Sequence, residues 1–124
     1  MVYQFRLFPD GSSCFPYSSD GFQTIFEMPP EQAVTDSSAV FAMVHPDDLS
    51  ALLRVTDHSA HTLTEWRHEF RIRKQNGIIR WLSGYAMPQA EKGGAVLWHG
   101  LIMDITERKQ TEQQLRELNR DFVT

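Results

Sequence analysis

The chain holds one cysteine, Cys14, in 124 residues, so an internal disulfide is excluded. Small secreted domains depend on such bridges, and a single thiol points to a reducing compartment. Apolar runs are short: none approaches the roughly 20 residues that cross a bilayer. The first residues lack the basic-then-apolar pattern of a secretion signal. Basic residues are in the minority, with 12 Lys and Arg against 16 Asp and Glu and a net charge of -4. That balance leaves no basic face for nucleic acid. No phosphate-cradling glycine loop, Ser-His-Asp cue or metal-ligand spacing occurs, so no catalytic residue and no metal ligand is nominated. The expectation is a cytoplasmic module without direct membrane insertion.

What is present is ordinary globular material, 41% hydrophobic and 23% charged, enough for one domain with one core. The stretch from Trp98 to Lys109 organises it. Residues 98–105 read as a buried strand, and from Thr106 a charged helix begins. Thr106 is the expected N-cap, and Glu107 suits the positive end of the helix dipole. Farther along, the large apolar residues are Leu115, Leu118 and Phe122, a narrow stripe that predicts a two-helix seam. A strand running without a turn into a seam helix forms a mechanical joint. The expected division is therefore a domain over residues 1–105 and a linker helix over residues 106–124.

Residues 2–8 alternate as a half-buried strand, and a Pro-Asp-Gly-Ser-Ser turn returns the chain through residues 14–17. Short helical pieces follow, carrying Phe22, Ile25 and Phe26, then Val40, Phe41 and Val44. His45, Pro46, Asp47 and Asp48 mark a strong helix start, with proline in the first turn and two carboxylates at the positive dipole end. Leu49, Leu52, Leu53, Thr56, Ala60 and Leu63 then recur at helical spacing. Two strands of a hairpin follow. Trp66, His68, Phe70 and Ile72 share one face of the first, and Asn76-Gly77 reads as a two-residue turn into the second. A looser turn at residues 91–94 leads to the last strand. The sum is an α+β layout: a five-stranded antiparallel sheet with helices on one face.

Five pieces in this order carry a family resemblance. They are residues 44–48, residues 69–73, residues 77–81, Gly100, and the Asp104-Ile105-Thr106 ending with the charges up to Lys109. The chain resembles a PAS domain, and more narrowly the bacterial type with a C-terminal PAC motif. The resemblance implies the PAS fold with a C-terminal signalling helix that forms a coiled coil. It also implies a sensory or dimerising module of a larger signal-transduction protein. The output would be a sensor histidine kinase, or a diguanylate cyclase or phosphodiesterase carrying a GGDEF-type domain. The resemblance implies a cytoplasmic module, free or as part of a membrane-anchored receptor, that is itself non-catalytic.

On that resemblance the sheet bends round a cleft, with Phe26, Phe41, His68, Phe70 and Trp81 as candidate lining. His68 reads either as a core histidine satisfied by a carbonyl or as a polar group aimed into the cleft. The signal would leave through Asp104, Ile105 and Thr106, with Arg71 or Arg80 holding Asp104, since a half-buried carboxylate needs a partner. Leu115, Leu118 and Phe122 would join two copies as a homodimer. Cofactor identity stays open between a small metabolite and none. Cys14 lacks the Asn-Cys-Arg-Phe type context of flavin photoreceptors, and His58 and His61 lie off the apolar stripe that would aim a haem ligand inward. A structural dimeriser with a filled cleft is the alternative. A small cleft enzyme built on His68 and Glu69 is disfavoured, because neighbours on a strand point to opposite faces.

Overall fold

The computed structural model describes residues 1–123, with side chains to residue 120. The first hairpin pairs β1 (Val2–Leu7) with β2 (Ser13–Ser18), and Asp10 closes its turn by accepting from the Ser12 amide and hydroxyl. Three short pieces follow: α1 (Gly21–Phe26), a 3₁₀ turn (Pro30–Ala33) and α2 (Ser38–Phe41). Then come the long helix α3 (Pro46–Thr62), β3 (Trp66–Arg73), β4 (Ile79–Ala90), β5 (Val96–Asp104) and α4 (Thr106–Val123). The sheet order is β2-β1-β5-β4-β3, with every neighbouring pair antiparallel. The first and last strands in sequence therefore meet at the centre, and α1 to α3 cover one face. This is the PAS fold expected from the sequence.

The core lies between that face and the helices. Phe22, Phe26, Ile72, Leu82 and Trp98 are almost fully buried there. Glycine is required where Trp66 crosses β4, because a Cβ on Gly84 would lie 2.3 Å from the indole. The start of α3 is as predicted: Pro46 opens the helix, and the His45 imidazole accepts from the Asp47 amide at 3.1 Å.

Three local expectations need correction. The turn at Asn76-Gly77 is not a two-residue loop. Lys74 and Ile78 still pair, Gly77 donates to the Lys74 carbonyl, and Gly77 alone takes a positive φ of 85°. The result is a three-residue loop with glycine in the left-handed position. The apolar stripe of α3 also shifts. Leu53 and Leu63 are exposed, whereas Ser59 is buried, because α3 faces the sheet through Leu52, Val55, Thr56 and Ser59. Leu63 ends the helix in the left-handed conformation (φ 54°). Thr106 is the first helical residue rather than the cap: the Ile105 carbonyl accepts from the Lys109 amide, and the Thr106 hydroxyl is engaged elsewhere.

Candidate functional site

Under the sheet is a cavity of about 50 Å³. Its wall is aromatic, from Tyr3 and Phe5 of β1, Phe15 of β2, Phe26, Phe41, Trp66, Phe70 and Trp98, with Val40, Val44, Leu52, Thr56 and Ile102 completing it. The alternation of each strand explains the wall, since every second residue must face the helices. Phe5 gathers the rings: Phe15, Trp98 and Phe41 stand 5.0, 5.6 and 5.9 Å from it, centroid to centroid. The two indole N–H groups are not left bare. Trp66 donates to the Thr56 hydroxyl at 3.1 Å, and Trp98 donates to the Ser59 hydroxyl at 3.0 Å. Both hydroxyls donate onward to backbone carbonyls, of Leu52 and Thr64. Helix α3 is thereby hung from the sheet by two tryptophans.

Of the predicted lining residues, Phe26, Phe41 and Phe70 border this cavity, whereas His68 and Trp81 do not. His68 does lie on the inner face, half-buried between Trp66 and Phe70, with its ring stacked on Phe70 at 6.3 Å. Among the described residues its ring nitrogens have no hydrogen-bond partner, so no backbone carbonyl satisfies it. Burial holds its pKa below the usual histidine value, against weaker opposing pulls from Asp48 and Glu69. Trp81 is on the opposite face. It pairs across the ladder with Arg71, while the buried Leu82 pairs with Phe70. Tyr3, Phe5, Trp66 and Trp98 line the cavity without having been nominated. The alternation of Tyr3 with Phe5 was the available signal.

The second part of the site is the joint between β5 and α4. Asp104 receives Arg80 Nε at 2.8 Å on one oxygen, and the Thr106 amide and hydroxyl at 2.9 and 2.6 Å on the other. Burial works to raise the Asp104 pKa, but these hydrogen bonds outweigh it and hold the carboxyl below the ordinary range. The Thr106 hydroxyl accepts from the Trp81 amide at 2.9 Å, and the Ile105 amide donates to the Trp81 carbonyl at 2.8 Å. Trp81 is therefore the residue of β4 on which the helix start is hung.

Arg71 is not a partner of Asp104. The Asp48 carboxylate at the start of α3 takes its guanidinium at 2.7 and 2.9 Å and its amide at 2.8 Å. The reason is tertiary: residues 43–45 run along the edge of β3, with Val44 bridging Ile72, and deliver Asp48 to Arg71. From there Arg71 lies over the Trp81 ring at 5.3 Å, and Lys109 of α4 lies over it at 4.8 Å. Glu69 accepts from Lys109 at 2.8 Å and from Arg108 at 2.6 Å. Leu115 and Leu118 are each 55% exposed on α4, and the side chain of Phe122 lies outside the described residues. Among the described residues no group of His, Cys, Asp or Glu could hold a metal, and no helix is long and apolar enough to cross a membrane.

Known proteins share this arrangement. The blue-light-activated histidine kinase of Brucella anthropi is 29% identical over 101 residues, covering 82% of this chain and 20% of that protein. The chain spans 20% or less of the length of each curated relative it matches. A sensory box histidine kinase/response regulator from Burkholderia thailandensis superposes with a TM-score of 0.71 at 22% identity, over 98% of this chain and 89% of that one. The N-terminal domain of a diguanylate cyclase with PAS/PAC sensor from Marinobacter aquaeolei gives 0.70 at 13% identity, over 88% and 99%. At such identities these likenesses concern the fold. The family described as the PAS fold matches residues 15–102. With its central β1–β5 pairing, helix-covered aromatic face and outgoing α4, the chain belongs to the PAS family.

Proposed function

We propose that this sensory PAS module takes a small ligand into the aromatic cavity and passes its presence through β5 into α4. The observation that carries this reading is the continuity of β5: Ile102 lines the cavity, and Asp104, two residues on, anchors the start of α4. The ladder is regular to its end, with Gly84 opposite Ile102 and Leu82 opposite Asp104, so Asp104 follows Ile102 on the same face and reaches Arg80 as its diagonal neighbour. Residues 1–105 are the sensing part, and the linker from Thr106 onward, α4, carries the signal out. Leu115 and Leu118 would pair two copies, and the output would be a histidine kinase, a diguanylate cyclase or a phosphodiesterase in the same polypeptide.

The cavity constrains the ligand. A space of about 50 Å³ exceeds what one water needs. It is far below the roughly 300–1,000 Å³ of pockets for drug-sized ligands and cofactors. So small a space favours a small metabolite over haem or flavin, and Cys14, in β2, is not part of its wall. The same small volume favours the second reading, a structural relay whose core is filled by its own side chains.

Native mass spectrometry of the purified chain, with an absorbance spectrum, separates the two. The ligand reading expects a small added mass and no visible band. It further expects Asp104→Ala to keep that mass while removing the ligand-dependent change in hydrogen exchange along α4. A bare mass, with exchange in α4 that no added small molecule alters, would overturn it.

A further inference from the structure

The cavity adjoins a groove at the surface. Phe5, Phe41 and Thr56 line both the cavity and this larger groove of about 740 Å³, between the β1–β2 turn, the start of α2 and the outer side of α3. Aromatic rings and hydroxyls make up much of the groove, and its charged side chains are the carboxylates of Asp36 and Asp57; no lysine or arginine lines it. Asp36 is already engaged, accepting from the Ser38 amide and hydroxyl at 3.0 and 2.7 Å. Asp57 is exposed in the middle of α3 and forms no ion pair among the described residues. His61, the one imidazole of the groove, directs Nδ1 at the Asp57 carbonyl, 2.8 Å away.

This arrangement discriminates between head groups. An anionic head entering the groove would meet two carboxylates and no counter-charge, beside rings that exclude part of the solvent. A cationic head would meet the Asp57 carboxylate, which has no ion pair among the described residues, and a wall that includes the Phe8 and Phe41 rings. The apolar remainder would pass Phe41 into the cavity, whose volume admits only a short chain. Resting on the ligand reading above, we infer that the site takes short-chain aliphatic amines, with the alkyl chain in the cavity and the ammonium in the groove beside Asp57.

The test titrates n-butylammonium, butan-1-ol and n-butyrate into the chain and follows the indole N–H resonances of Trp66 and Trp98. The expected order is amine, then alcohol, then carboxylate, with a gap of about two- to fivefold between the first two, since Asp57 is exposed. Asp57→Asn should bring the amine down to the affinity of the alcohol and leave the alcohol unchanged, and Asp57→Glu should restore the preference. Alcohol binding with no preference for the amine, or an amine preference that survives Asp57→Asn, overturns the head-group inference alone. No indole response to any of the three overturns the ligand reading on which it rests.

Discussion

The face of the sheet turned toward α1 to α3 and the face touched by α4 solve different problems. The inner face is aromatic, and two indole–hydroxyl links tie it to α3. The outer face near α4 is held by charge: Glu69 on Arg108 and Lys109, and Trp81 under Arg71 and Lys109, with Arg80 on Asp104 at the strand end where α4 starts. Apolar contacts are non-directional, so an inner face of this kind tolerates small rearrangements of its rings. Charged hydrogen bonds and cation–ring contacts are directional, and they fix where α4 begins. The two faces meet at Arg71. Asp48, on the helix that walls the cavity, holds Arg71, and Arg71 covers the tryptophan on which α4 is hung.

The sharpest way to break the comparison is from the inside. Trp98→Ala removes a nearly fully buried indole from the centre of the sheet, and with it the N–H that the Ser59 hydroxyl accepts. Loss of a large buried ring leaves a cavity that the neighbours only partly fill, and about 3–5 kcal/mol of stability should go. Urea unfolding followed by far-ultraviolet circular dichroism measures it. A loss below about 1 kcal/mol would mean that the inner face is loosely packed and that the cavity is not a defined space.

The outer face should respond less, and in a pH-dependent way. The Arg71 guanidinium holds the Asp48 carboxyl below its ordinary range, and Lys109 does the same to Glu69. A carboxylate with a depressed folded pKa takes up protons less readily when folded than when unfolded. Its stabilisation is therefore complete above the ordinary values near pH 4 and is lost as pH falls through the depressed ones. Asp48→Asn should cost about 1.5–3 kcal/mol at pH 7 and flatten the fall in stability below about pH 4. Urea midpoints taken across that range check both parts, and a variant with the slope of the parent would place the acid sensitivity on other carboxylates.

Much of this was legible in the residues because it is local. Alternation in β3 put Trp66, His68, Phe70 and Ile72 on one face, and the Pro46 start of α3 and the β5–α4 joint follow from short-range rules. The errors come from where local rules stop. Alternation says that Trp81 and Phe70 each share a face with every second neighbour, but only the β3–β4 register puts Trp81 beside Arg71 and Leu82 beside Phe70. The partner of Arg71 is set by residues 43–45 running along the β3 edge, a contact with no signature in either segment alone. Thr56 read as part of a helical stripe, and nothing in its spacing said that its hydroxyl would receive an indole from β3.

The smallest effect on folding is expected where the outer face gives way to α4 alone. Leu115 and Leu118 are more than half exposed and lie beyond the ion pairs that fix the helix start. Changing both to Glu should shift the stability of the domain by less than about 0.5 kcal/mol, since exposed positions contribute little to the fold. Self-association is a separate quantity, because a two-helix seam buries these residues only in the pair. Sedimentation equilibrium should then show a dimer weakened at least tenfold beside an unchanged unfolding midpoint. A dimer that persists would move the interface to the other exposed apolar surface of the sheet, where Val2 pairs with Leu101 and Met103 stands 57% exposed. In that case the outer face would join two copies as well as hold α4, and its charged contacts would register the partner too.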